Sequence, residues 1–244
     1  MNIHWLFDID CTLTEYREHA LERLFDGNFL FPLIADLAES HGLNRAEAEQ
    51  KIRKEETNNP FWDYPDFVRT LGLSMKEVLP VFRRWHSENI AVHQDSVRLV
   101  RTLLKRGFPV SVISNNPRLG CLLKLEPCGL ADPGNGTSVF RNILSTDLLK
   151  GCKGNDGVWK RAVTALRSQG QAELVMIGDN PDEDGRLARL HGVKRSFILN
   201  RSGKVKIPED SGITVVPDAD AVLPLLKDRH PERVPGTPAE VRNR

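Results

Sequence analysis

Three short apolar runs, each followed by polar residues, constrain the fold of this chain more than any other feature. The runs cover residues 3–9, 109–114 and 173–178, and segments with helical spacing separate them. Runs of this length and composition are typical of strands that are buried on both faces of a sheet. Because strands that alternate with helices pair in parallel, the sequence predicts an α/β fold, a Rossmann-like three-layer parallel sheet core.

Shorter segments complete the predicted elements. Further core strands are expected over residues 140–145, 196–199 and 213–216. Helical spacing predicts core helices over residues 94–106, 118–125, 156–168 and 183–191. Two more helices are expected over residues 64–71 and 74–87.

Residues 15–93 lack the alternation of strand and helix, and we call this segment the helical insert. Residues 44–56 (NRAEAEQKIRKEE) within it are almost all helix formers, with Asn44 placed as the N-cap. The sequence therefore predicts an inserted α-helical domain, with a core made of residues 1–14 and 94–228. The remaining residues, 229–244, are rich in Pro, Arg and Glu and are predicted to be a disordered tail.

Charge and composition exclude several classes of protein. The 34 basic and 33 acidic residues nearly cancel, which argues against nucleic-acid binding by overall charge. No apolar run approaches the roughly 20 residues of a membrane helix, and the first ten residues lack the basic segment of a secretory signal. The four cysteines show neither a CxxC pair nor zinc-type spacing, so free thiols are expected. We therefore expect a cytoplasmic protein without a nucleic-acid or membrane partner.

Two aspartates, Asp8 and Asp10, lie at the end of the first apolar run. Side chains at positions i and i+2 of an extended chain point to the same side, so these carboxylates repel each other. A hard divalent cation relieves such repulsion, and Mg²⁺ suits phosphate chemistry. The alternative is a pair of surface carboxylates that caps the following loop or helix.

A second acidic segment follows the third apolar run. Residues 179–184 (DNPDED) place four carboxylates within six positions. The alternative to a cation site is a solvated turn that caps the next helix. Ligands of open parallel sheets bind beyond the carboxyl ends of the strands, where Asp179 and Asp184 would join Asp8 and Asp10. The two acidic segments together favour the cation site.

The second apolar run ends in Ser114 and Asn115, ahead of Asn116 and Pro117. Asn116 is predicted to be an N-cap with Pro117 at the first helical position. A hydroxyl and free backbone N–H groups at a helix N-terminus also suit an anion. This segment is therefore predicted to cap a helix and to bind an anion.

These segments resemble the motifs of the haloacid dehalogenase superfamily, in its phosphatase branch. FDIDCTLT is similar to the first motif (DxDxT), VISNN to the second and GDNPDED to the fourth (GDxxxxD). Residues 153–159 (KGNDGVW) resemble the third motif, with Gly154 in place of the usual proline. The motif order covers roughly residues 3–226, and the helical insert resembles the C1-type cap of that superfamily.

The resemblance implies a magnesium-dependent phosphatase that acts on a small phosphorylated metabolite. Asp8 would be the nucleophile, and Asp10 the general acid and base. The implied metal ligands are Asp8, Asp10 through its backbone carbonyl, Asp179 and Asp184. The implied phosphate-binding residues are Thr12, Ser114, Asn115 and Lys153. Lys153 would also hold Asp8 ionised.

Several alternatives stay open at this point. Lys150 and Lys160 compete with Lys153 for the role of the motif lysine. The chain could be a phosphotransferase or sugar phosphomutase on the same fold, or a non-catalytic protein, although no charged motif residue is lost. Superfamily members that break carbon–halogen bonds lack a carboxylate at the position of Asp10, so its presence favours phosphate chemistry. The aromatic residues of the insert are expected to pack between helices, with stacking on a substrate as the alternative: Phe61, Trp62, Tyr64 and Phe67.

Overall fold

The structure is a computed structural model that describes residues 3–21, 30–170, 172–203 and 212–226. The predicted tail at 229–244 lies outside these residues. Among the helices in this described part of the chain, none is long and apolar enough to cross a membrane.

A six-stranded parallel sheet forms the centre of the core. Its strands are β1 (Ile3–Phe7), β4 (Val110–Ile113), β7 (Ile143–Leu144), β8 (Glu173–Gly178), β9 (Arg195–Leu199) and β10 (Ile213–Val216). Their order in the sheet is β10-β9-β8-β1-β4-β7, so β1 lies between the two halves of the sheet. From β1 the chain builds first towards β7 and later towards β10, which makes the carboxyl end of β1 the topological switch point.

Helices cover both faces of this sheet, which confirms the predicted three-layer α/β fold. Along β1, Trp5 faces one layer and Leu6 the other, because side chains alternate across a strand. Leu6 packs with Trp159 in one core cluster, whereas Trp5 packs with Leu103 in the other. The core helices are α6 (Gln94–Lys105), α7 (Arg118–Leu125), α8 (Thr146–Leu149), α9 (Asp156–Arg167) and α10 (Ala188–Leu190).

The helical insert begins and ends on a two-stranded antiparallel ribbon. The ribbon pairs β2 (Thr14–Tyr16) with β3 (Ile90–Val92), so both crossings between insert and core lie side by side. Between them lie α1 (Glu18–Leu21), α2 (Leu30–Ser40), α3 (Arg45–Asn58), α4 (Tyr64–Thr70) and α5 (Met75–Asn89). A small hairpin, β5 (Ala131–Asp132) with β6 (Thr137–Ser138), follows α7. The division into two domains stays a prediction.

The insert packs on α7 of the core. Its apolar cluster includes Phe67 and Phe82 together with Leu119 and Leu123 of α7. The predicted N-cap at Asn44 is confirmed, because its Oδ1 accepts hydrogen bonds from the N–H groups of Ala46 and Glu47.

One predicted N-cap and one predicted helix start are wrong, whereas the predicted helix over 118–125 has the bounds of α7. Pro117, not Asn116, is the N-cap of α7, and the helix begins at Arg118. Asn116 is unsuited to capping here because its side chain reaches Asp10 and Ser114 instead. The predicted helix at 183–191 begins earlier, with a π-helical segment (Pro181–Leu187) that α10 continues. Wide turns of this kind occur often at functional sites.

Candidate active site

Three strand ends meet at the carboxyl edge of the sheet. β1 pairs with β4 on one side and β8 on the other, so the residues that follow these strands are neighbours. The N–H of Asp8 donates to the carbonyl of Ile177 at 2.9 Å, and that of Ser114 donates to the carbonyl of Leu144 at 3.1 Å. These bonds extend the strand pairing by one residue beyond β1 and β4. They fix the backbone positions from which the side chains of Asp8 and Ser114 project.

Three of the predicted acidic residues lie close together at this edge. Carboxylate oxygens of Asp8, Asp179 and Asp184 all lie within 4.8 Å of one another. The side chain of Asp10 is not in this group and has other partners. The set consists of oxygen donors only, which is the ligand type that Mg²⁺ prefers. The three side chains therefore fit a divalent cation.

Lys153 joins two of these carboxylates. Its Nζ lies 2.6 Å from Asp8 Oδ1 and 2.7 Å from Asp184 Oδ1, and the three side chains are buried. The alternatives do not reach the acidic group: Lys150 is an exposed residue in a left-handed conformation after α8, and Lys160 is exposed on α9. Among the three candidate lysines, Lys153 is the one that contacts the acidic cluster.

Burial and negative charge dominate the electrostatics of this group. Burial, followed by repulsion from Asp184 and Asp10, raises the pKa of the Asp8 carboxyl well above its ordinary value despite the attraction of Lys153. Burial and Asp184 likewise raise the pKa of Asp179 to about 6. Burial and the neighbouring carboxylates thus oppose the effect of Lys153 on the pKa of Asp8, and the expectation that Lys153 holds Asp8 ionised stays a prediction. A divalent cation among these carboxylates would offset the excess negative charge and favour their ionised forms.

Gly178, the last residue of β8, allows the Asp184 carboxylate to pack against the strand. A Cβ built at Gly178 would overlap the side chain of Asp184. The N–H of Asn180 also donates to Asp184 Oδ2 at 3.2 Å. The glycine is therefore required by a close approach, and the fourth motif brings its own aspartate back over its first residue.

The predicted phosphate-binding residues occupy different environments. Ser114 is buried, and its Oγ accepts hydrogen bonds from the side chain and the N–H of Asn116. Asn115 links two loops, since its Oδ1 accepts from the N–H of Lys153 and its Nδ2 donates to Glu183. Thr12 is fully buried, and its Oγ1 has no hydrogen-bond partner within the described residues. The roles of these residues in binding phosphate stay predictions.

Two backbone N–H groups at the N-terminus of α7 already have carboxylate partners. Asp147 accepts a hydrogen bond from the N–H of Arg118 at 2.8 Å, and Asp63 of the insert accepts from the N–H of Leu119 at 3.1 Å. Two carboxylates thus satisfy the N–H groups that a bound anion would need. The N–H groups of Arg118 and Leu119 are therefore not free as expected, and anion binding by residues 114–117 stays a prediction.

Sequence reasoning missed the partners of Asp10. Lys124 Nζ lies 2.6 Å from Asp10 Oδ1, and Asn116 Nδ2 donates to Asp10 Oδ2 at 2.6 Å. Burial alone would raise the pKa of Asp10, but Lys124 and the hydrogen bonds from Lys124 and Asn116 bring it below its ordinary value. A signal was present, because Lys124 is the one cation within the apolar stretch of residues 119–125 (LGCLLKL).

The aromatic residues of the insert mostly pack against one another. Phe31 contacts Phe67 with ring centroids 4.5 Å apart, and Trp62 contacts Phe67 at 4.9 Å. These contacts support helix packing as the role of Trp62 and Phe67. Phe61 differs from them, since it is 36% exposed. Its ring centroid lies 5.7 Å from the Nζ of Lys150 on the core.

Comparisons with known proteins bear on the fold. No protein-family model and no curated protein matches the chain. Among solved structures, a 2-haloacid dehalogenase from Pseudomonas syringae pv. Tomato DC3000 is similar at a TM-score of 0.56 and 17% identity, over 93% of this chain and 98% of that one. The chain has the haloacid dehalogenase fold.

Two further structures share this fold. One is YfnB from Bacillus subtilis, assigned as a HAD hydrolase and bound to magnesium, with a TM-score of 0.51, 15% identity and coverage of 93% and 99%. The other is a Thermotoga maritima protein assigned as a beta-phosphoglucomutase, with a TM-score of 0.52, 16% identity and the same coverage. At this identity the likeness concerns the haloacid dehalogenase fold, whereas the chemistry depends on the residues of the site.

Proposed function

We propose that this protein is a Mg²⁺-dependent phosphatase that hydrolyses a small phosphorylated metabolite through an aspartyl-phosphate on Asp8. One observation carries the proposal: Asp8 lies at the topological switch point with its carboxylate 2.6 Å from the Lys153 ammonium and within 4.8 Å of Asp179 and Asp184 oxygens. A nucleophilic carboxylate, a cation site and a fixed positive charge are the groups that phosphoryl transfer requires.

Asp8, Asp179 and Asp184 are the side chains that would hold the metal ion, since they supply oxygen donors within one short span. When bound, Mg²⁺ would neutralise charge on the transferring phosphoryl group. It would also favour the ionised, nucleophilic form of Asp8. The backbone carbonyl of Asp10 as a further ligand belongs to the same proposal.

In the first half-reaction, an Asp8 oxygen attacks phosphorus and the bond to the leaving oxygen breaks. The protonated form of Asp10 gives its proton to that oxygen. Lys153 and Ser114 bind the phosphoryl oxygens, where a fixed charge and hydrogen-bond donors stabilise the transition state. In the second half-reaction, water attacks phosphorus, the bond to Asp8 breaks, and the Asp10 carboxylate takes the proton of the water.

Asp10 separates this proposal from a dehalogenase. A halide leaves as a stable anion and needs no proton, whereas an alkoxide leaving group does. The side chain of Asp10 lies next to the strand end that bears Asp8, with hydrogen bonds to both of its oxygens. A phosphomutase would use the same residue, so product analysis has to separate hydrolysis from isomerisation.

The test is a panel of phosphomonoesters, sugar phosphates and 2-haloacids, assayed with Mg²⁺ and with EDTA. We expect inorganic phosphate release that requires Mg²⁺, without halide release or sugar phosphate isomerisation. Asp8→Asn removes the nucleophile and should lower turnover by at least about 10³-fold without unfolding the protein. Halide release, isomerised sugar phosphate as the main product, or an Asp8→Asn variant with most of its activity would each refute the proposal.

A further inference from the structure

Lys124 lies in an environment that is costly for a cation. It belongs to α7, in which Arg118 is exposed and the other seven residues are buried. The side chain of Lys124 itself is 4% exposed. Removing an ammonium group from water is unfavourable unless partners replace the lost hydration. The partners of Lys124 are therefore the reason that a lysine is tolerated at this position.

Three groups surround the Lys124 ammonium. Its Nζ lies 2.6 Å from Asp10 Oδ1 and 2.8 Å from Asn116 Oδ1. The third group is the ring of Tyr16, whose centroid is 4.6 Å from the Nζ. A lysine ammonium has three donors; two of them face Asp10 and Asn116, and Tyr16 is a further hydrogen-bond partner of Lys124. Lys124 does not contact Asp8, Asp179 or Asp184 in the way that Lys153 contacts Asp8 and Asp184.

Asn116 closes this arrangement into a ring of hydrogen bonds. Its Oδ1 accepts from Lys124, and its Nδ2 donates both to Asp10 Oδ2 at 2.6 Å and to Ser114 Oγ at 2.8 Å. Both oxygens of Asp10 thus face donors, one from each residue. Donors on both oxygens match a carboxylate, which is the form that accepts a proton from water.

We propose that Lys124, together with Asn116, is a positioning residue that fixes the Asp10 carboxylate for the hydrolysis of the phosphorylated Asp8. This inference rests on the proposed function and adds a residue outside the four sequence motifs. In the step concerned, water attacks phosphorus and the P–O bond to Asp8 breaks with its electron pair returning to the Asp8 carboxylate. Asp10 accepts the proton of the attacking water. Lys124 acts through Asp10 and touches no reacting atom.

Tyr16 connects this clamp to the helical insert. It lies on β2 of the ribbon that joins insert and core. Its ring also packs edge-on against Trp85 of α5, with ring centroids 6.0 Å apart. The cation that fixes Asp10 therefore packs against the ribbon through which the insert is attached. Replacing Tyr16 with Phe keeps the ring and removes the hydroxyl. We therefore expect Tyr16→Phe to lower kcat less than Lys124→Met does.

The test uses Lys124→Met in the full chain, with Lys160→Met as the matched control on an exposed face of α9. We expect Lys124→Met to lower kcat by about 10- to 100-fold with little change in KM, because misplacing a reacting group by about 1 Å has an effect of this size. Rapid-quench experiments should show more phosphorylated protein at steady state, because the second half-reaction is slowed. Lys124→Arg should recover part of the loss.

A double-mutant cycle with Asp10→Asn separates positioning from general structural support. If Lys124 acts through Asp10, adding Lys124→Met to Asp10→Asn should change kcat by less than about 3-fold. An undiminished effect in that background, or phosphoenzyme hydrolysis at the wild-type rate in Lys124→Met, would overturn the inference. Asn116→Ala removes the donor to Asp10 Oδ2 and carries the same test if Lys124→Met fails to fold.

These outcomes are distinguishable from failure of the proposed function. If wild-type protein releases no phosphate, or Asp8→Asn keeps its activity, the proposed function itself is wrong. If both behave as expected while Lys124→Met matches Lys160→Met, only the role of Lys124 is wrong.

Discussion

The two aspartates that follow β1 are only two positions apart, yet their surroundings differ. Asp8 is buried with Lys153 and Asp184, and all three residues belong to the sheet core and its loops. Asp10 is partly exposed and bonded to Lys124 and Asn116, next to Tyr16 on the ribbon of the helical insert. We call Asp8, Lys153 and Asp184 the Asp8 side of the site; it is built by the core alone. The Asp10 side, made of Asp10, Lys124, Asn116 and Tyr16, lies where core and insert meet.

Charge balance explains what each side is suited to do. Three carboxylates and one ammonium group meet around Asp8, so negative charge is in excess there and a divalent cation is favoured. One carboxylate and one ammonium group meet at Asp10, where charge is balanced. The first side suits metal and phosphate, and the second suits a proton acceptor of fixed orientation.

Lys153→Met is expected to have the largest effect on activity, and it tests whether the surroundings of Asp8 and Asp10 act separately. Under the proposed function, removing the ammonium group that faces Asp8 and would bind the phosphoryl oxygens should lower kcat/KM by about 10²- to 10³-fold. The substitution also removes a positive charge next to the cation site, so the apparent affinity of the protein for Mg²⁺ should rise. Isothermal titration calorimetry measures this change.

Lys124→Met provides the contrast, since it should leave Mg²⁺ affinity near the wild-type value. Equal changes in Mg²⁺ affinity for Lys153→Met and Lys124→Met would mean that the two sides of the site are not separate.

A smaller effect is expected for Gly178→Ala. The new methyl group would overlap the Asp184 carboxylate and push it away from Lys153, which should lower the free energy of unfolding by about 1–3 kcal/mol. The matched control is Gly120→Ala in α7, where the added Cβ would lie at an ordinary 3.4 Å from Tyr64. Urea denaturation of both variants measures the difference, and equal stabilities would show that Asp184 relaxes freely.

Much of the Asp8 side was predictable from the sequence. Apolar runs revealed strands β1, β4 and β8, and polar residues at their ends indicated a shared edge. The regular motif order indicated Lys153 even with Gly154 in place of proline. The structure agrees because each of these residues follows directly from a strand end or a short loop, whose position the sheet determines.

The Asp10 side was less accessible to sequence reasoning. Lys124 acts across the gap between α7 and β1, and the pairing of β1 with β4 does not fix where a helical side chain points. The N-cap of α7 was misassigned for the same reason, because Asn116 has a capping residue type but its side chain bonds to Asp10. Local propensity cannot anticipate a side chain that is used for a tertiary contact.

The central claim is that Asp8 receives the phosphoryl group, and the location of that group tests it most directly. The protein would be mixed with a phosphomonoester that it turns over and Mg²⁺, quenched in acid within milliseconds, digested and mapped by mass spectrometry. We expect one phosphorylated peptide, modified at Asp8, that is absent from Asp8→Asn and more abundant in Lys124→Met. Phosphate on another residue, or turnover with no phosphorylated protein at any quench time, would contradict it.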